Sequence, residues 1–114
     1  MNTTVNRSII CLIGSTKFKC EFEAITLQEG LKGKIVLSVV GFDHYDKLGL
    51  TEEEREIAHD LHFDKIRIAN EIYVINKNGY IGESTKSELE FALRLNKTIY
   101  YLEPTTVTLP WEPL

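Results

Sequence analysis

Short uninterrupted apolar runs alternate with longer amphipathic stretches along the chain. Ser8-Ile9-Ile10-Cys11-Leu12-Ile13 is apolar at every position after Ser8, is rich in β-branched residues and stops at Gly14. Such a run predicts a strand buried on both faces. Lys34 to Val40, Ile72 to Ile75 and Thr98 to Leu102 repeat it. Between them the periodicity changes. Thr16 to Leu31 carries Phe18, Phe22, Ile25, Leu27 and Leu31 at helical spacings, with Gly30 and Gly33 as stop signals. Gly41 to Leu50 is a polar loop. Thr51-Glu52-Glu53-Glu54 is a capping box opening a second helix, which runs to about Ala69 with Ile57, Ala58, Leu61, Ile68 and Ala69 as its core face. Asn76 to Gly82 is a loop, and Ser84 or Thr85 caps a third helix ending near Asn96.

Strand–helix alternation repeated four times, with non-alternating strands, predicts a parallel sheet with helices on both faces. Right-handed crossovers narrow the topology to strand order 2-1-3-4, possibly with a fifth strand: a three-layer α/β sandwich, flavodoxin-like or Rossmann-like. With 114 residues, the chain reads as a single domain, 1–114, whose tail, 103–114, holds all three prolines and should be extended.

Composition removes several classes of function. The net charge is −4 and no Lys/Arg cluster is visible, which argues against nucleic acid as partner. No apolar run is long enough to span a membrane, and the polar start lacks signal-peptide anatomy, so a cytoplasmic location is expected. Cys11 and Cys20 are too few for a disulfide framework and lack metal-ligand spacing, and Cys11 reads as a buried free thiol. Neither a cofactor nor a metal site is expected.

In an open parallel sheet, ligands bind beyond the carboxyl ends of the strands, near the switch point. Gly14-Ser15-Thr16, Phe42-Asp43-His44-Tyr45, Asn76 to Thr85 and Glu103-Pro104 meet on that edge. The opposite edge has only short Gly-Lys, Asn-Glu and Asn-Lys turns. Gly14, Ser15 and Thr16 read as a helix start able to hold an anion, or as an ordinary cap. They match neither a P-loop nor a dinucleotide fingerprint. Gly79, Tyr80 and Gly82 form a tight aromatic loop leading into Ser84 and Thr85. Asn76 opens that loop, and Phe42 and His44 stand across from it. Glu88 at the pocket mouth reads in two ways: Thr85-x-x-Glu88 is a capping box, yet a carboxylate there can also be a nucleophile. On the second helix, His59, Asp60, His62 and Asp64 form a polar cluster without metal spacing.

Several motifs appear in a family's order. A strand ends in Gly14-Ser15. Ala69-Asn70-Glu71-Ile72 leads into a strand ending in a glycine-flanked loop. Ser87-Glu88-Leu89-Glu90-Phe91-Ala92 opens a helix, and Asn96-Lys97-Thr98-Ile99-Tyr100 returns to a strand. Over residues 9 to 103 the chain resembles the nucleoside 2-deoxyribosyltransferase superfamily, which includes the 2'-deoxynucleoside 5'-phosphate N-hydrolases. The resemblance implies a flavodoxin-like fold and attack on an N-glycosidic bond, with Glu88 as nucleophile and Asp64 assisting the leaving base. It also implies Gly14-Ser15 near a 5'-phosphate, a nucleoside or nucleotide as small-molecule partner, and a homodimer or higher homo-oligomer. The chain departs from the family where Glu90 replaces a glycine, Gly82 replaces an Asp or Ser, and Cys11 or Leu12 replaces an aromatic. These departures suit a side branch, or a non-catalytic binder or sensor of a nucleotide-like ligand on the same scaffold. Trp111, near the end of the tail, is the expected interface element.

Overall fold

The computed structural model describes residues 6–105, so Trp111 and most of the tail lie outside the described residues. Four parallel strands, β1 (Ile9–Gly14), β2 (Ile35–Leu37), β3 (Glu71–Ile75) and β4 (Thr98–Tyr101), form one sheet in the order β2-β1-β3-β4. The helices are α1 (Lys19–Leu31), the four-residue α2 (Asp43–Asp46), α3 (Glu52–Ile68) and α4 (Glu83–Arg94). A 3-10 turn covers Lys77–Gly79. The fold is the three-layer α/β sandwich read from the sequence, and among the described residues there is no fifth strand.

The apolar runs become a two-faced sheet because successive side chains of a strand point to opposite faces. Cys11 and Ile13 of β1 join Ile72 and Val74 of β3 beneath α3 and α4, which supply Ile66, Ala69, Leu89 and Ala92. Leu12 and Ile75 face the other way and pack on Phe18, Phe22 and Ile25, at and within α1. Gly14 permits β1 and β3 to approach closely: a Cβ there would lie 2.8 Å from the Ile75 carbonyl oxygen and 2.9 Å from the Ile75 Cβ. At the amino edge of the sheet, the buried Glu29 carboxylate accepts hydrogen bonds from Lys32 and Lys34, both at 2.8 Å, and Lys34 also reaches Glu71 at 2.9 Å.

Several elements differ from the sequence expectation. α1 starts at Lys19 rather than Thr16, and Leu27 and Leu31 are exposed. β2 is only three residues long, so Ser38 to Val40 leave the sheet early. The capping box of α3 is as expected: Thr51 Oγ1 accepts from the Glu54 N–H at 3.1 Å, and Glu54 accepts from the Thr51 N–H at 2.9 Å. Its core face is met only in part: Ala69 is buried and Ala58 half-buried, as expected. Ile57, Leu61 and Ile68 are exposed, while His62 and Ile66 are buried. α3 carries two apolar stripes offset by about one residue, and the sheet takes the one containing Ala58, His62, Ile66 and Ala69. No helix among the described residues is long and apolar enough to cross a membrane.

Candidate functional site

The cleft on the carboxyl edge of the sheet follows from this topology. β1 and β3 diverge there into α1 and α4, and α3 forms the far wall. It encloses about 430 Å³, within the ~300–1,000 Å³ usual for small-molecule sites. Gly14, Ser15 and Thr16 line one side. Tyr80, Gly82, Glu83, Ser84, Thr85 and Glu88 line another, and Arg55, Ala58, His59 and His62 of α3 face them.

Glu88 is the chemical centre of the cleft. It is 6% exposed, and no hydrogen bond or ion pair reaches its carboxyl among the described residues. Burial pushes its pKa from 4.5 up to about 8, so the protonated acid is favoured at neutral pH. The capping role suggested by Thr85-x-x-Glu88 does not occur. α4 begins at Glu83 with Gly82 as its N-cap, which places Glu88 in the second turn. Thr85, Glu88, Leu89 and Ala92 are the buried stripe of the helix. Their i, i+3, i+4, i+7 spacing was available in the sequence and marks Thr85 as interior to the helix rather than as its cap.

His62 and Cys11 lie beside this acid. His62 Nε2 donates to the Leu12 carbonyl at 2.9 Å, since a carbonyl can only accept, and it stands 3.7 Å from Cys11 Sγ. Burial lowers the His62 pKa to about 4, partly offset by that carbonyl, so its imidazole is neutral at ordinary pH. Burial, together with the nearby Glu88, raises the Cys11 thiol to about 12. The floor of the cleft is therefore polar but uncharged. Its rim carries Arg55, which pairs with Asp43 at 3.2 Å.

Asp64 does not belong to the site. Residues two apart on a helix point about 200° apart, so burying His62 turns Asp64 outward. Asp64 is exposed and pairs with Arg67 on the same surface. Phe42 packs edge-on against Phe22, with ring centroids 5.5 Å apart, and does not line the cleft. The His44 side chain is also outside it. Its backbone N–H donates to Thr16 Oγ1 at 3.1 Å, tying α2 to the loop after β1. Asn76 is fully buried and clasps the Glu103 backbone through two hydrogen bonds of 2.9 Å, a structural task. Gly79 takes φ +78° in the 3-10 turn, away from the cleft.

The remaining expected residues come together. Ser15 Oγ accepts from the Lys17 N–H at 3.3 Å, so the hydroxyls of Ser15 and Thr16 both already serve the backbone. Ser84 and Thr85 stand in the first turn of α4, which has no side-chain cap, so its early N–H groups remain available toward the cleft. Tyr80 is half-exposed at the entrance, with Lys17 Nζ 3.7 Å from its ring centroid and Phe18 edge-on at 6.0 Å. Sequence reasoning missed Arg55, His62 and the Val39–Val40–Gly41 stretch as lining residues. His62 carried a signal: it lies on the stripe with Ala58, Ile66 and Ala69. Among the described residues no group of His, Cys, Asp and Glu side chains is arranged to hold a metal.

No protein-family model matches the chain, and no curated protein sequence matches it.

Proposed function

We propose that the cleft binds a nucleoside or nucleoside 5'-monophosphate and that the chain cleaves or transfers its N-glycosidic bond, with Glu88 as the nucleophile. The observation that carries this reading is the buried Glu88 carboxyl, unpartnered among the described residues, on the wall of a small-molecule cleft. A carboxylate with no competing hydrogen bond has its lone pairs free for a sugar carbon. One Glu88 oxygen forms a bond to C1' as the C–N bond breaks, and that bond's electron pair leaves with the base nitrogen. A proton reaches the base from an acid on the rim, where His59 and Glu83 stand. Water, or a second base, then displaces the carboxylate from C1' in a second inversion, so the configuration is retained overall. The unfilled first turn of α4, with Ser84 and Thr85, suits an oxyanion or hydroxyl of the substrate. Tyr80 at the entrance suits the flat face of a base.

The pKa of about 8 gives the mechanism a signature. The nucleophile must be ionised, so kcat/KM should rise with pH up to about 8. The test is incubation with a panel of ribo- and deoxyribonucleosides and their 5'-monophosphates, followed by chromatography for free base. Release of base by the parent chain and its loss in Glu88→Gln are expected. Release that Glu88→Gln leaves intact overturns the mechanism.

A second reading, a non-catalytic binder of the same ligands, is favoured by one observation. Asp64 faces away, which leaves the neutral Glu88 without a second buried carboxyl beside it. That reading expects a ligand-induced rise in melting temperature with no base released.

A further inference from the structure

We infer that His62 reads the sugar: its Nδ1 accepts a hydrogen bond from a 2'-hydroxyl, so the cleft takes ribonucleosides in preference to 2'-deoxyribonucleosides. The inference rests on the nucleoside reading above and narrows it to one sugar. Three polar side chains on the cleft wall, His62, Thr85 and Glu88, are 5%, 4% and 6% exposed. Thr85 Oγ1 and the Glu88 carboxyl have no hydrogen-bond partner among the described residues. Both contacts of the His62 ring, with Leu12 and with Cys11, use Nε2, which leaves Nδ1 without a partner among the described residues. Buried polar groups are ordinarily paired, and each one left unpaired weakens the fold. Three of them on one wall suit a ligand that brings several hydroxyls, and a sugar does.

The tautomer of His62 fixes what it can read. Nε2 lies 2.9 Å from the Leu12 carbonyl oxygen, which only accepts, so the ring proton is on Nε2. The buried imidazole is neutral, and Nδ1 is therefore a bare acceptor. It takes a hydroxyl from the ligand and repels another acceptor. The position of His62 selects which hydroxyl. Cys11 Sγ stands 3.7 Å from His62 Nε2, and the charge of Glu88 acts on the same thiol. His62 and Glu88 thus flank one side chain of β1 and are neighbours in the cleft. A sugar whose C1' meets the Glu88 carboxyl carries its 2'-hydroxyl on the next carbon. Thr85 lies three residues before Glu88 on the buried stripe of α4, about one turn farther along, and is placed for the 3'-hydroxyl. A 2'-deoxy sugar leaves Nδ1 facing a C–H bond. Sites built to bond a hydroxyl reject the analogue that lacks it far more strongly than apolar sites reject a missing methylene. Bonds to the 2'-hydroxyl also strengthen as positive charge grows at C1', so discrimination should be larger in kcat/KM than in Kd.

The experiment compares matched ribo- and 2'-deoxyribonucleosides and their 5'-monophosphates, by calorimetry for Kd and by release of base for kcat/KM. The parent chain should bind the ribo member at least about tenfold more tightly and process it at least about a hundredfold better. The 2'-fluoro-2'-deoxy analogue, whose fluorine cannot donate, should bind no better than the deoxy member, and this arm needs no variant. His62→Leu removes the acceptor, and its ribo-to-deoxy ratio should fall toward unity. His62→Gln keeps an N–H for Leu12 and an oxygen that accepts, and should restore part of the preference. A merely structural His62 would weaken both members alike in His62→Leu, and an unchanged ratio there overturns the inference. Equal or reversed preference in the parent, or a 2'-fluoro analogue that binds as well as the ribo member, overturns it too and leaves the nucleoside reading standing. Failure of every nucleoside and 5'-monophosphate to bind overturns both.

Discussion

The pH dependence of stability around Glu88 offers the sharpest test of the site. A carboxyl whose pKa is raised on folding reverses the usual acid behaviour. Below pH 4.5 it is protonated in both states and contributes nothing. As pH rises from 4.5 toward 8, the unfolded chain ionises it while the folded chain retains the proton, so folding is progressively disfavoured. Above about 8 the penalty is complete. Between pH 5 and pH 8 the penalty grows by on the order of 3 kcal/mol, at about 1.4 kcal/mol per unit. Glu88→Gln removes the ionisation and keeps the shape. Its buried amide carries a pH-independent cost of about 1–3 kcal/mol if left unpaired, so the absolute difference at a single pH decides little.

The change in that difference with pH is the measurement. Urea melts of parent and Glu88→Gln at pH 5 and pH 8 should show the variant gaining on the parent by about 3 kcal/mol over the interval. In thermal melts this is a relative shift of more than ~10 °C for a domain of this size. Contributions from Glu29, Glu71 and His62 are common to both proteins and cancel. Neighbouring Cys11 and His62 are neutral across the interval, so neither changes the field at Glu88. A stability gap constant from pH 5 to pH 8 would refute the buried, proton-holding carboxyl and remove the physical basis for its chemistry.

Other consequences can be checked separately. Gly14→Ala should cost about 1–3 kcal/mol in a urea melt, because its methyl would meet the Ile75 backbone oxygen at 2.8 Å and the strands would have to part. His62 should keep the shifts of a neutral imidazole in an NMR titration down to about pH 4, and an ordinary midpoint would contradict its burial against Leu12. At the amino edge, burial alone would raise Glu29, but its bonds to Lys32, Lys34 and Gln28 outweigh burial and hold its pKa near 2. That stabilisation is present above pH 4.5 and lost as pH falls toward 2, so Glu29→Gln should lower the melting temperature at neutral pH and flatten the acid limb of the profile. Gly82→Ala places a methyl 3.1 Å from the Tyr80 hydroxyl, so in calorimetry or melting-shift assays it should weaken ligand binding more than it lowers the protein's own melting temperature.

The topology was legible because the central strands β1 and β3 are buried on both faces and read as continuous apolar runs, a signal that does not depend on register, and the half-exposed edge strands β2 and β4 carry enough β-branched and aromatic residues to read alike. The carboxyl-edge cleft then followed from strand order alone. What the sequence concealed was rotation and phase. The hydroxyls of Ser84 and Thr85 are good caps, and only the buried 85-88-89-92 stripe reveals that α4 has already begun at Glu83. On α3 the pattern points to Ile57, Ala58, Leu61, Ile68 and Ala69 as the core face, yet of these the sheet accepts only Ala58 and Ala69, together with His62 and Ile66.

That choice has a local consequence at the site. The buried side chain that α3 turns into the cleft floor is His62, two positions before the Asp64 that the motif suggested, and two positions on a helix are nearly opposite faces. Any acid assisting at this site must come from the rim, where His59, Glu83 and the Arg55-paired Asp43 stand. The same rotation leaves three aliphatic side chains on the outside of the helix. Substitution at His62 should therefore alter the ligand site, and substitution at Leu61, one residue away on the exposed face, should leave it intact. Measuring melting shifts with nucleosides on both variants decides this. If His62→Ala left ligand binding unchanged, or Leu61→Asp abolished it in a folded protein, the two faces of α3 would not be separable as described.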